Sequence, residues 1–183
     1  MNKFSCDIDG ILNDYPQCWL IYLAERCGTL YETVKLAKEG EPDYRKYKDE
    51  YRNSSYKANL PIHRANRDII NTIISTGLEP VMVTSRPIHD AKYPCLYDNT
   101  YNWLKKNGVK FEQFDYKDPA AAFLDKYGEI KFHIDDDPVY AIKVASKGVK
   151  VYLIHNDNWD FSVIQGHPNV TIIKDLKEIF KYE

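Results

Sequence analysis

Two aspartates one residue apart, directly after a short apolar run and directly before a glycine, constrain this chain more than any other stretch. The run 3–6 leads into Asp7 and Asp9, and Gly10 follows at once. Alternate residues of a strand point to the same side, so both carboxylates are predicted to share one face. Like charges this close repel, which favours a divalent cation or a shared proton between them. The glycine allows a sharp turn and the close approach of a ligand to the main chain.

The overall composition sets the class of protein. The chain has 183 residues, 44% of them hydrophobic, which fits one domain with a small insertion. Its formal net charge of -2 argues for neither nucleic acid nor a membrane as partner. The four cysteines lack a Cys-x-x-Cys spacing, which favours reduced thiols over a zinc site. The chain runs straight into its first predicted strand without an apolar leader, so we expect a cytoplasmic protein. Nothing in the sequence indicates an oligomeric state.

Strand-like and helix-like patterns alternate along most of the chain. The predicted strands cover residues 2–7, 79–84, 109–114, 131–135, 149–154 and 170–173. The predicted helices between and after them cover residues 64–76, 99–107, 120–127, 138–147 and 176–182. This alternation predicts an α/β fold with a Rossmann-like parallel sheet and right-handed crossovers.

Residues 15–60 interrupt this alternation with a purely helical pattern. We predict a small helical cap in this segment, inserted after the first strand of a core domain made of residues 1–14 and 61–183. Thr29 and Glu32 have the spacing of a capping box, which predicts a helix from there to Gly40. Seven of the 15 tyrosines lie between Tyr15 and Tyr56. They either pack the inserted helices together or line a ligand.

Acidic and hydroxyl side chains recur where predicted strands end. Thr84 and Ser85 follow one apolar strand, and Asp135 and Asp136 follow another. Ligands of parallel sheets bind beyond the carboxyl ends of strands, so these residues are expected to meet the first aspartate pair. A carboxylate can attack a phosphoryl group when a hard cation neutralises the charge, and a second carboxylate can move the proton. A hydroxyl and a lysine can hold the remaining phosphate oxygens.

In these motifs the sequence resembles the haloacid dehalogenase superfamily of phosphohydrolases. The first motif matches residues 6–12, the second matches 81–87, and the fourth matches 132–138. The third motif is a lone lysine. Lys117 precedes the helix that leads into the fourth motif and is favoured, while Lys126 is the alternative.

The resemblance implies roles for the acidic residues. Asp7 would be the nucleophile that becomes an aspartyl-phosphate, and Asp9 the general acid and base. Mg²⁺ would be bound by Asp7, by the backbone carbonyl of Asp9 and by Asp136, with Asp135 as a supporting carboxylate. Which of Asp135 and Asp136 touches the metal directly stays open. The third aspartate in a row, Asp137, is expected to cap the following helix.

The resemblance also implies how the phosphate is held. Thr84, Ser85 and the motif lysine would bind the phosphoryl group. Arg86 lies just beyond them and either contacts the substrate or lies on the surface.

A narrower resemblance is to the 5'(3')-deoxyribonucleotidases, which carry an insertion at the same place. Residues 101–104 and 156–159 also look similar. This implies a 5'-nucleotidase acting on (deoxy)nucleoside monophosphates, a small-molecule phosphomonoester substrate. The phosphatase domain of polynucleotide kinases is similar over residues 81–137 and implies a nucleic-acid 3'-phosphatase, against which the net charge counts. The third hypothesis is a metal-binding regulatory domain on the same fold, and the full set of acidic residues counts against it.

Overall fold

A single six-stranded, all-parallel sheet forms the centre of the computed structural model, which describes residues 3–164 and 166–183. Its strands are β1 (Lys3–Asp7), β2 (Glu79–Thr84), β3 (Gln113–Tyr116), β4 (Ile130–Asp135), β5 (Lys150–Ile154) and β6 (Val170–Ile173). The strand order is β3-β2-β1-β4-β5-β6. The predicted α/β class and Rossmann-like parallel sheet are confirmed. Asn2, predicted in the first strand, lies outside the described residues.

Helices connect the strands. They are α1 (Gln17–Cys27), α2 (Val34–Gly40), α3 (Tyr44–Asn53), α4 (Ser55–Ala58), α5 (Arg64–Ser75), α6 (Leu96–Lys106), α7 (Phe123–Tyr127) and α8 (Pro138–Ser146). Two 3₁₀ helices, Phe161–Ile164 and Leu176–Lys181, lie near the end of the chain. Among the described residues, none of the helices has both the length and the apolar character needed to cross a bilayer.

The sheet buries one apolar cluster against each face. Phe4 and Cys6 of β1 belong to the cluster that includes Ile70 of α5. Val83 of β2 belongs to the other cluster, with Val144 of α8. Side chains of a strand alternate between faces, so Ser5 and Asp7 point to the face opposite that of Phe4 and Cys6.

The register between β1 and its two neighbours positions the site. Cys6 pairs with Met82 of β2 and with Ile134 of β4. Asp7 and Asp135 therefore leave adjacent strands at the same edge of the sheet. The strand order reverses between β1 and β4, and a crevice for ligands opens at such a reversal.

The inserted segment 15–60 has its own apolar cluster around α1 and α3. Trp19, Tyr22 and Tyr51 are buried there, and the ring centroids of Trp19 and Tyr51 lie 5.2 Å apart. For these aromatic residues the structure supports packing, the first of the two sequence readings. The chain returns to the core at Leu60, whose carbonyl oxygen accepts a hydrogen bond of 2.7 Å from Nε1 of Trp103.

Four predicted element starts are wrong by three residues or more. One is that of helix α6, which begins at Leu96 rather than at residue 99. Helix α2 begins at Val34, capped by Thr33, whose hydroxyl accepts a hydrogen bond of 3.2 Å from the backbone N–H of Leu36. A hydroxyl directly before the helical stretch outcompetes the more distant Thr29 of the predicted capping box, because the cap must reach the first free N–H groups.

The other two differences lie around β3. The predicted strand began at residue 109, but Val109 and Phe111 are buried in an irregular segment before the ladder starts at Gln113. Helix α7 begins at Phe123 rather than residue 120. Asp118 instead accepts hydrogen bonds from the N–H groups of Ala120 and Ala122, which stabilises a turn.

Candidate active site

Three buried carboxylates meet at the reversal of strand order. Asp7 is the last residue of β1, Asp135 is the last residue of β4, and Asp136 follows it directly. Each offers one oxygen atom, and these oxygen atoms all lie within 4.8 Å of one another. The adjacent strand ends explain this proximity, which the sequence predicted from the placement of the aspartates.

Lys117 reaches into this carboxylate cluster. Its Nζ contacts a carboxylate oxygen of Asp7 and lies 3.1 Å and 3.0 Å from the two carboxylate oxygens of Asp135. Its backbone N–H donates a hydrogen bond of 2.7 Å to the carbonyl oxygen of Thr84, which fixes it beside the end of β2. Lys126, the alternative, is exposed and pairs with Asp115 at 2.5 Å. Of the two candidate lysines, the structure brings Lys117 into the cluster.

The cluster holds more carboxylate than one lysine can balance. Burial and the neighbouring Asp135 raise the pKa of Asp7 to about 7, against the opposing effect of Lys117. Burial, Asp135 and Asp7 also raise the pKa of Asp136 well above its usual value. For Asp135, burial is outweighed by Lys117 and His133, which lower its pKa. A divalent cation would stabilise the ionised carboxylates, and it prefers such oxygen donors.

Gly10 leaves the space in which Asp136 lies. Its φ is +82°, and a Cβ atom on it would lie 2.1 Å from Oδ2 of Asp136. Nε1 of Trp159 donates a hydrogen bond of 3.2 Å to the same oxygen. The Asp136 carboxylate is therefore held in a groove that only a residue without a side chain keeps open. Clustered, buried, hard oxygen donors of this kind fit Mg²⁺.

A buried hydrogen-bonded chain orients Asp135. Nε2 of His133 lies 2.8 Å from Oδ2 of Asp135, and Nδ1 lies 2.8 Å from Oγ of Ser5. A neutral His133 can thus donate to Asp135 and accept from Ser5. The N–H groups of Asp136 and Asp137 donate to Oδ1 of Asp135 at 2.9 Å and 3.0 Å. Asp135 is thus engaged on both oxygens, while Asp136 has the freer carboxylate.

His133 was not singled out from the sequence, and this contact was missed. The signal was present, because residues two apart in a strand share a face and His133 precedes Asp135 by two. The predicted role of Asp137 is confirmed. Its carboxylate accepts hydrogen bonds from the N–H groups of Val139 and Tyr140 at the start of α8.

Asp9 lies beside the cluster, and its carboxylate is bound by cations. Arg86 binds it with two hydrogen bonds, Nε to Oδ2 at 2.8 Å and Nη2 to Oδ1 at 2.7 Å. Nζ of Lys57 and Nδ2 of Asn13 each donate to Oδ1 at 2.8 Å. Burial alone would raise the pKa of Asp9, but Arg86 and Lys57 hold it well below its usual value. In this arrangement Asp9 is ionised.

These contacts bear on two sequence expectations. Arg86 is buried in the site, so the surface reading of this residue is wrong. Lys57 comes from α4 of the inserted segment, and nothing in the sequence singled it out. Its burial against Asp9 is a tertiary contact between residues far apart in the chain.

The two predicted hydroxyls face different surroundings. Thr84 is fully buried at the end of β2, and its Oγ1 accepts a hydrogen bond of 3.1 Å from the N–H of Arg86. Ser85 is exposed and lines a small cavity next to Asp9. Both lie at the same sheet edge as the carboxylate cluster.

Two connected spaces lie between the inserted segment and the core. The inner cavity has a volume of about 50 Å³, and its lining includes Asp9, Lys57 and Arg86. The outer cleft has a volume of about 740 Å³ and runs along α2 and α3 to the loop 158–160. Tyr15, Lys48 and Arg52 line both spaces.

Comparison with known proteins finds similarity in structure only. No protein-family model matches the chain, and no curated protein sequence matches it. A predicted phosphatase from Clostridium acetobutylicum superposes with a TM-score of 0.72 at 11% identity, covering 99% of this chain and 97% of that chain.

Two further solved structures have the same architecture. A haloacid dehalogenase-like family hydrolase from Streptococcus pneumoniae gives a TM-score of 0.68 at 13% identity, covering 100% of this chain and 98% of that chain. A D,D-heptose 1,7-bisphosphate phosphatase from B. bronchiseptica, complexed with magnesium and phosphate, gives 0.58 at 12% identity. That similarity covers 100% of both chains. At these identities the comparisons concern the fold.

Proposed function

The chain has the fold of the haloacid dehalogenase-like hydrolases, and from this premise we propose that it is a Mg²⁺-dependent phosphomonoester hydrolase. The observation that carries the proposal is the buried cluster of Asp7, Asp135 and Asp136 with Lys117 among them. Three carboxylates with one lysine match the needs of a phosphoryl group held beside a hard cation. A purely structural core would not concentrate this much buried charge without a ligand.

In the proposed reaction, Asp7 is the nucleophile. One of its carboxylate oxygens attacks the phosphorus atom, and the bond to the leaving oxygen breaks as that oxygen takes a proton from Asp9. The product is an aspartyl-phosphate at Asp7. Water then gives a proton to Asp9 and attacks the phosphorus atom, which releases inorganic phosphate and restores Asp7.

The other residues hold the charge in place. Asp7, Asp136 and the backbone carbonyl of Asp9 would bind the metal, with Asp135 supporting. When bound, Mg²⁺ supplies Lewis-acid stabilisation of the phosphoryl oxygens. Lys117, already in contact with Asp7, would donate to a phosphoryl oxygen, which offsets the repulsion between two anions.

Thr84 and Ser85 complete the proposed phosphate site with their hydroxyl groups. Asp9 is ionised in this arrangement, so it must exchange partners and take up a proton from solvent before it can donate one to the leaving oxygen. Its carboxylate is now paired with Arg86 and Lys57, so these cations have to turn to oxygens of the substrate. This assigns a substrate contact to Arg86.

The proposed substrate is a nucleoside monophosphate. Tyr15, Tyr44 and Trp159 line the outer cleft. Every nucleobase has a π face that can stack on such rings. Residues 15–60 would act as a cap that excludes water from the phosphoryl group.

Phosphate release from a panel of substrates, with Mg²⁺ and with chelator, tests this proposal. The panel contains ribonucleoside and deoxyribonucleoside monophosphates, sugar phosphates and a 3'-phosphorylated oligonucleotide. We expect chelator-sensitive release, fastest from the nucleoside monophosphates. Folded protein that releases no phosphate from any member, yet binds Mg²⁺, would refute the enzymatic proposal and support a regulatory domain.

Two variants separate the proposed roles. Asp7→Asn should abolish turnover with little change in folding, and normal turnover would end the nucleophile assignment. Asp9→Asn should retain phosphate binding while losing most of its turnover. Normal turnover in that variant would show that proton transfer does not depend on Asp9.

A further inference from the structure

The outer cleft is basic, although the whole chain has a net charge of -2. The basic side chains that line it are Lys35, Lys38, Arg45, Lys48, Arg52 and Lys92. The acidic side chains that line it are Glu39, Asp49 and Asp160. Cations that outnumber carboxylates in a concave surface concentrate anions there.

Lys48 lies at the junction between this basic cleft and the proposed reaction centre. It lines both the outer cleft and the inner cavity, and Asp9 also lines the inner cavity. A substrate with its phosphoryl group at Asp7 would extend its leaving group past Asp9 in this direction. Lys48 is therefore placed to meet a group on the leaving-group side.

The aromatic rings around Lys48 hold its ammonium group in place but do not balance its charge. Its Nζ lies 4.1 Å from the ring centroid of Trp19, 4.9 Å from that of Tyr15 and 5.2 Å from that of Tyr51. Nζ donates a hydrogen bond of 3.4 Å to the hydroxyl of Tyr15. Among residues 3–164 and 166–183, no carboxylate forms an ion pair with it. The aromatic cage fixes the ammonium group by cation–π contacts.

The neighbouring cations differ from Lys48 because they have anionic partners. Lys57 pairs with Asp9 at 2.8 Å, and Arg52 lies 3.8 Å from Asp49. Burial and the charges of Lys57 and Arg52 lower the pKa of Lys48 well below its usual value, and the charge of Asp9 offsets this only in part. A partly buried cation among other cations is unfavourable unless an anion joins it. That missing anion is not supplied by the protein residues described.

We propose that Lys48 is the centre of a second anion subsite, which binds a second phosphate group on the leaving group of the substrate. This inference rests on the proposed phosphatase function and adds a second phosphate to the substrate that the site would take. The matching compounds are small phosphomonoesters with two separated phosphates, either nucleoside 3',5'-bisphosphates or sugar bisphosphates. Both share the chemistry that the subsite recognises, and the cleft of about 740 Å³ has room for either.

Matched substrate pairs test the inference. We would compare kcat/KM for a nucleoside 3',5'-bisphosphate with the 5'-monophosphate, and for a sugar bisphosphate with its monophosphate. A charge-assisted contact to the second phosphate should raise kcat/KM by about 10-fold or more for one pair. The pair that shows the increase identifies the source of the phosphate. Equal values within both pairs would overturn the inference.

The Lys48→Met variant assigns the effect to its proposed residue, because methionine keeps the stem within the aromatic cage. It should lower kcat/KM about 10-fold more for the bisphosphate than for the matched monophosphate. Lys48→Gln is the second variant if the first folds poorly. Lys46→Met, an exposed lysine of the same helix, is the control and should leave both values unchanged. Equal losses for both substrates in the Lys48 variants would contradict the subsite.

Direct binding keeps this test independent of the proposed function. If no compound is hydrolysed, calorimetric titration still measures binding at the subsite. Each of the two bisphosphates would be titrated into wild type, Lys48→Met and Lys46→Met. We expect affinity to fall about 10-fold in Lys48→Met alone. Equal affinity in the three proteins would overturn the inference. Faster hydrolysis of a 3'-phosphorylated oligonucleotide than of either bisphosphate would also overturn it, since the cleft would then hold a polynucleotide.

Discussion

Replacing Gly10 with alanine should damage the proposed metal site far more than it damages the fold. The added Cβ atom would lie 2.1 Å from Oδ2 and 2.2 Å from Cγ of Asp136. No real contact is that short, so the Asp136 carboxylate must leave its present position. Because Asp136 is one of the proposed metal ligands, the variant should bind Mg²⁺ more weakly.

The energetic cost has two parts, and a second glycine separates them. A Cβ atom at positive φ costs roughly 1–2 kcal/mol in either place. Gly28 has a φ of +76° at the end of α1, and a Cβ atom there would have no neighbour within 4 Å. Gly28→Ala therefore carries the backbone cost alone. In a chain of this length that cost corresponds to a drop in Tm of roughly 2–8 °C.

Thermal unfolding at increasing Mg²⁺ concentration measures both parts at once. The Tm without Mg²⁺ reports stability, and its rise with Mg²⁺ reports affinity, because a ligand of the native state stabilises it by mass action. We expect Gly28→Ala to lower the first value and to keep wild-type affinity. Gly10→Ala should need at least about 10-fold more Mg²⁺, in line with perturbed metal sites in general. Wild-type affinity in Gly10→Ala would refute the placement of Asp136 in the metal site.

Three further predictions concern single contacts. Lys117→Met should lower kcat/KM by about 100-fold or more, because the proposed contact to the phosphoryl group is lost. Lys126→Met should change kcat/KM less than about 2-fold, because its ion pair is exposed. Similar losses in the two variants would contradict the choice of Lys117. His133→Phe should destabilise the protein by about 1–3 kcal/mol, measured as a lower urea midpoint, because it removes the buried hydrogen bonds to Oδ2 of Asp135 and to Oγ of Ser5. An unchanged midpoint would disprove this. Thr33→Ala should lower the free energy of unfolding by about 1 kcal/mol, because α2 loses its N-cap, and should leave kcat unaltered. A Tm equal to that of wild type would show that the cap does not stabilise the protein.

The fold could be predicted because its signals are local. Strands β2 and β6 are short, largely apolar runs followed by polar residues, and both were predicted with the bounds that the structure shows. Strand β3 is not apolar, and its start was predicted wrongly. The errors fall where a tertiary contact or a competing cap decides. Val109 packs in the core without joining a strand, and Thr33 replaces Thr29 as a cap.

The site could be predicted only as far as the strand ends. Parallel strands bring their carboxyl ends together, so Asp7, Asp135 and Asp136 had to be neighbours. The partners of Asp9 could not be found in this way. Lys57 reaches Asp9 from α4 across 48 positions of sequence, and no periodicity relates two such residues.

Lys48 was equally hidden. Its significance comes from the absence, among the described residues, of a carboxylate that forms an ion pair with it, and a sequence does not show which charges lack partners. The tyrosine-rich pattern indicated either packing or a ligand site. In the structure one aromatic cluster packs the inserted helices together, and Lys48 lies against its rings.

Trapping the phosphorylated enzyme tests the central claim most directly. The best substrate of the panel, labelled in its phosphate, would be mixed with enzyme and Mg²⁺ and quenched in acid within one turnover. Borohydride reduction and peptide mass analysis would then locate the modified residue. We expect label on wild type, homoserine at position 7 after reduction, and no label in Asp7→Asn. Turnover without protein-bound label, or label that persists in Asp7→Asn, would contradict this claim.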